Sequence, residues 1–224
     1  MVRNVLALVL FAFPASSLEL TERQVRLERE LTPQSASKVA EELFKLDSAG
    51  HEPIVLFINT RSGFAPAAMV VVDAIRSLKS KVHAVIQPEA FGVGAIVAVH
   101  CEKRFAFPSA TVVFGKLTYD SEKVMKDEPP LPVAAADAYV DRVWASAGKR
   151  IGISGADLEK KADASWVLTA DEAKAAGVVT DLVDRVDWVE LIIETVEVKK
   201  TATLKSKGPA KEVRDSAVLP GDAK

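Results

Sequence analysis

Few residues in this 224-residue chain are of types and spacing that do chemistry. The strongest set is built from backbone. Arg61-Ser-Gly-Phe64 and Gln87-Pro-Glu-Ala-Phe-Gly-Val-Gly94 are glycine-bearing turns, each reached from an apolar run and each leading into a helical pattern. Two such turns side by side aim several N–H groups at one place, which is how an oxyanion hole is made. Gly63 and Val93 are the candidate donors, and Ser62 stands beside the first of them. An acyl hydrolase of this plan would carry a nucleophile in the second turn, but Ala90-Phe-Gly-Val-Gly94 contains no Ser, Cys or Thr.

Other candidates are weaker. His100-Cys-Glu102 holds a nucleophile and a base in sequence, yet neighbouring side chains in extended structure point apart. A buried small thiol is the ordinary state of a lone cysteine. His51, His83 and His100 lack metal-ligand spacing, and one cysteine excludes an intramolecular disulfide or a multi-cysteine metal cluster. Ser62 is a candidate unconventional nucleophile with no evident base. The residues suggest no cofactor.

The elements that must position the turns read clearly. Pro53-Ile-Val-Leu-Phe-Ile-Asn59 and Val82-His-Ala-Val-Ile86 are apolar runs of strand length, followed by helical patterns over 65–78 and 95–100. Gln24–Leu31 alternates as a half-exposed strand, and Thr32-Pro33 starts a helix with Val39, Leu43 and Leu46 on one face. Residues 104–107 and 111–114 are strand candidates split by Pro108, and 115–132 is a charged loop. The spacing predicts a helix over 133–151 with Ala138, Val140, Val143 and Trp144 inward. Ser154-Gly-Ala-Asp157 and Thr169-Ala-Asp-Glu172 read as capping boxes, Gly177 as a C′ residue, and 178–183 as a last strand. The alternation βαβαβ predicts an α/β domain with a mainly parallel sheet flanked by helices.

Met1-Val-Arg-Asn4, the apolar run Val5–Phe13, Pro14 and the small residues Ala15-Ser-Ser17 fit a secretory signal peptide cleaved before Leu18. The expected organisation is a leader over 1–17, a domain over 18–195 and a polar, Lys-rich tail over 196–224. Such a leader implies secretion or the cell-envelope side; an organellar presequence is the alternative. The run is too short to span a bilayer, so no transmembrane helix is expected after cleavage. Net charge is −2, and no basic patch with interleaved aromatics favours nucleic acid.

Pro53–Asn59, Ser62-Gly63, Gly92-Val-Gly-Ala95, Lys103-Arg-Phe-Ala-Phe-Pro108 and Leu168-Thr-Ala-Asp-Glu-Ala-Lys-Ala-Ala-Gly-Val-Val179 resemble, in order and spacing, the Clp-protease-like branch of the ClpP/crotonase superfamily. The resemblance covers about residues 22–186. It implies a spiral of βαβ units, self-assembly or assembly with Clp-like subunits through residues 115–151, and a peptide as the possible ligand. It also assigns roles that this chain does not fill. Gly92 matches the family's serine, or Ala90 if the gap is placed differently. Gly115 matches the histidine and Ser165 the aspartate, while Asp141 matches the lysine of signal-peptide-peptidase-like members. Gly63 and Val93 match the hole-forming positions, with Ser62 where glycine is usual. The resemblance therefore implies a non-catalytic relative. An active serine endopeptidase with displaced catalytic residues is one alternative. A crotonase-type acyl-thioester enzyme using Glu89 or Asp120 is another.

Overall fold

The computed structural model describes residues 17–117 and 133–188. Asp120, the residues Val124, Met125 and Leu131 of the segment expected to mediate assembly, residues 1–16 of the expected leader and the expected tail over 196–224 lie outside the described residues.

Among the described residues, the strands form one seven-stranded sheet and one two-stranded sheet. In the larger, β2 (Gln24–Leu31), β3 (Ile54–Gly63), β4 (Val82–Phe91), β5 (Lys103–Ala106) and β8 (Asp181–Leu182) lie in that order, all parallel. The far end of β4, Glu89–Phe91, takes a different parallel neighbour, β6 (Thr111–Phe114). β7 (Trp166–Thr169) then pairs antiparallel with β6. β4 thus has a different parallel neighbour at each end on this side. The smaller sheet pairs β1 (Ser17–Leu20) with β9 (Arg185–Trp188), so the expected cleavage boundary before Leu18 falls at the start of a strand.

Helices α1 (Pro33–Ala49), α2 (Ala65–Ser77) and α3 (Val93–His100) cover one face, and α4 (Val133–Ile151) packs against α2, α3 and α5 (Gly155–Asp163). α6 is Ala170–Ala175. Every residue of α3 is buried, which explains why it reads as apolar all round. On the opposite face Val55, Phe57 and Val85 pack with Phe105, Phe107 and Val186.

Several expected boundaries move. Residues 61–63 and 87–91 are strand, not turn, because β3 and β4 stay paired with β2 and β6 to their ends. The strand expected over 178–183 shrinks to two residues, with Val178 and Val179 buried in the preceding turn. On α4 the inward face is Ala136, Val143, Trp144 and Ala147; Ala138 is exposed because it lies off that 3.6-residue stripe. Ser154 caps α5 through the Asp157 N–H, but the Asp157 carboxylate accepts from the Ser154 hydroxyl, so the box is not reciprocal. Thr169 and Glu172 do form a reciprocal box, as do Thr32 and Ser35.

His100 ties three helices together. Its Nδ1–H donates to the Ile96 carbonyl at 2.7 Å, leaving Nε2 to accept the Ser146 hydroxyl at 2.9 Å. Arg76 of α2 donates to the same hydroxyl. Burial is the main cause that holds the imidazole down at about 4; Arg76 and Arg150 add to it, while the Ile96 carbonyl and Asp73 oppose it. The unfolded chain binds this proton near pH 6.5, the folded one only near 4. Stability is therefore full above about 6.5 and falls as pH drops towards 4, by up to about 3 kcal/mol. Thermal melts of wild type and His100→Gln at pH 7.5 and 4.5 should show the wild type losing the greater stability on acidification. Parallel losses would contradict this.

Candidate functional site

The site is built where β3 and β4 run into their helices. Gly92 joins β4 to α3 with φ 52° and ψ −107°, a sharp left-handed elbow that favours glycine. Its N–H donates to the Val113 carbonyl of β6 at 2.8 Å, and its carbonyl accepts from Ile96 N–H, so both neighbours pin it. Phe64 N–H, just after β3, donates to the Leu31 carbonyl at 3.0 Å and ties the first junction to β2. Thr60, fully buried, donates through its hydroxyl to the Arg29 carbonyl where β2 bulges.

These junctions touch. A Cβ on Gly63 would lie 2.7 Å from the Leu31 carbonyl oxygen and 2.8 Å from Val93 Cγ2, and its φ is 155°. Gly63 and Val93, with Ser62 and Gly92, line one cleft of about 330 Å³ completed by Arg61, Ala65, Phe91, Val113, Gly115, Lys116 and Leu117. Val93 opens α3, so its N–H is one of the first-turn donors without an intrahelical partner.

Gly92 and Gly115 come together by topology: β6 lies beside β4, and Gly115 follows it. A Cβ on either would meet no heavy atom within 4 Å. Continuing the β6–β7 register sets Ser165 next to Gly115, since Phe114 pairs with Trp166. Ser165 is exposed, has φ 56°, and is not among the residues lining the cleft. Asp141 is elsewhere. It is exposed on α4 and lines a separate hollow of about 230 Å³ with Asp137, Val140 and Glu159; only Lys116 and Leu117 are shared.

The remaining candidates do not assemble a nucleophile. No base hydrogen-bonds the Ser62 hydroxyl among the described residues. Cys101 is fully buried, its thiol faces the Val97 carbonyl at 3.7 Å, and burial pushes it up to about 12, so it is inert and not paired with His100. Glu89 is ion-paired with Arg61, which links the ends of β3 and β4. His83 is half-buried, its pKa lowered chiefly by desolvation, and exposed His51 pairs with Asp47. No group of three His, Cys, Asp or Glu could hold a metal among the described residues. A larger hollow of about 410 Å³ between β2 and α1 shares no lining residue with the first cleft. The sequence reading missed Lys116 and the Arg61–Glu89 pair. The signal for both is weak, since a cation next to a glycine and two charges 28 residues apart carry no pattern.

A family model described as Clp protease matches residues 14–186. This chain belongs to the Clp protease family. ATP-dependent Clp protease proteolytic subunit 2 of Prochlorococcus marinus (strain MIT 9312) is 27% identical over 168 residues, 74% of this chain and 81% of the relative. The ATP-dependent Clp protease proteolytic subunit of Carsonella ruddii (strain PV) is 29% identical over 96 residues, 42% of this chain and half of the relative. Among solved structures, a ClpP1 mutant from Listeria monocytogenes superposes with a TM-score of 0.64 at 23% identity, covering 72% of this chain and 91% of its own. That likeness shows the ClpP-like fold.

Crowding separates the site glycines. Gly63→Ala should lower stability by about 1–3 kcal/mol, through strain and the clash with β2. Gly115→Ala, with open space around it, should change stability by no more than about 0.5 kcal/mol. Urea titrations of both variants read the difference, and equal effects would refute the packing described.

Proposed function

We propose that this Clp-family protein is a non-catalytic subunit that binds a peptide in the cleft between β3, β4 and β6 without cleaving it. The observation that carries the reading is Gly92: the elbow geometry that exposes a nucleophile on a strand-to-helix turn is present, and the residue in it has no side chain. Gly115 and Ser165 offer no imidazole and no carboxylate at the family's base and orienting positions. The hole needs only backbone, and Gly63 and Val93 remain side by side. A carbonyl can thus be bound and polarised with nothing to attack it. In serine proteases, loss of triad members leaves only about 10³–10⁴-fold catalysis over water from the hole and binding.

The native protein should take up no fluorophosphonate. Gly92→Ser combined with Gly115→His and Ser165→Asp should gain labelling at the new serine. Labelling of the native protein at Ser62 would favour the alternative, a serine peptidase with displaced residues. The acyl-thioester reading loses support from Glu89, which is held by Arg61 and absent from the cleft lining.

As a subunit, the chain is expected to self-associate or join Clp-like partners. Trp144, within the segment expected to carry that contact, is buried in the protomer core. No helix among the described residues is long and apolar enough to cross a membrane. The leader over 1–17 supports a secreted or envelope-side location, and terminal sequencing of the native protein should begin at Leu18. An intact Met1 would remove the argument for secretion.

A further inference from the structure

The cleft combines cations with open space. Among the described residues, Arg61 and Lys116 are its only charged lining residues, and no carboxylate lines it. Arg61 gives Nε to Glu89, yet its side chain stays 77% exposed, so the rest of the guanidinium is open to a ligand. Glu89 offsets part of that charge, which leaves the greater weight on exposed Lys116. Phe91, Val113 and Leu117 give the cleft an apolar wall, and about 330 Å³ is more than a two-carbon acid fills.

The two open positions matter chemically. A hydrolase with serine and histidine at Gly92 and Gly115 would fill the space beside the hole, leaving room there for a single carbonyl oxygen. Here both positions face open space. A carboxylate presents two oxygens and a negative charge: one oxygen suits the hole, the second suits the space beside it, and the charge suits the cations. We propose that the cleft receives the C-terminal carboxylate of a peptide, with Arg61 and Lys116 as its counter-charges and the open space at Gly92 and Gly115 accommodating its second oxygen. This rests on the reading that the cleft binds peptide without cleaving it.

The test is fluorescence anisotropy on the full-length protein with one labelled hexapeptide in two forms, free acid and C-terminal amide. The acid should bind tighter by about tenfold or more, as expected for gaining one charge-assisted pair, and the preference should shrink as salt screens it. Lys116→Gln should bring the acid close to the amide, weakening the acid far more than the amide. Gly115→Val, which fills the open space at a position without left-handed backbone, should weaken the acid selectively. Equal binding of acid and amide would overturn the carboxylate assignment while leaving the peptide-binding reading intact. Binding of neither would overturn both. Acetate binding as tightly as the hexapeptide would mark a small-acid site and overturn the peptide assignment.

Discussion

The constraint on which the rest depends is the parallel pairing of β3 with β4, carried from Ile54 and Val82 to Thr60 and Ala90. Because neither strand stops at the end of the apolar run, the two strand-to-helix junctions are set by the sheet and not by loops. β2 holds the first through Leu31 and Gly63, and β6 holds the second through Val113 and Gly92. α3 must then begin at once beneath β4, buried on every side, and Gly63 must lie against Val93. The side-by-side placing of Gly63 and Val93 on one cleft follows from strand register.

The strand-to-helix junctions can thus hold their geometry with glycine at the elbow. A side chain at φ 52° would be held in sparsely populated backbone, a strain that active sites carry at a cost of about 1–3 kcal/mol. Glycine removes that strain and leaves the elbow in place. Ser165 shows the opposite case: a non-glycine residue at φ 56° where α5 turns into β7. Elsewhere, three arginines, of which Arg23 and Arg104 are buried, bond the chain at helix ends. Arg23 donates to the Leu46 and Gly50 carbonyls at the end of α1, Arg150 to Val99 and Cys101 after α3, and Arg104 to Gly177 and Val178 after α6. Each adds donors to carbonyls at or just beyond a helix end, where intrahelical partners run out.

Much of the fold was legible because the signals are local. Apolar runs marked β3 and β4, alternation marked β2, and proline and hydroxyl caps marked α1, α5 and α6. The ends of β3 and β4 were not, since glycine, proline and charge at 61–63 and 87–91 read as turn, and only neighbouring strands make them extended. That the turns holding Gly63 and Gly92–Val93 meet at one place was read from the paired strand–turn–helix units, whereas Gly115 entered only through the family resemblance, because its place in space is not written in its neighbours. Lys116, the Arg61–Glu89 pair and the helix-end arginines depend on contacts between distant segments. Ala138 was misplaced by a short window; the stripe through Ala136, Val143 and Ala147 fixes the face of α4.

The central claim is that the Clp architecture persists here without peptide-bond hydrolysis. The most direct measurement is prolonged incubation of the purified native protein with casein, read by mass spectrometry of the peptides. The expected result is no cleavage above a protein-free control. Cleavage that a serine-directed phosphonate abolishes would contradict the account.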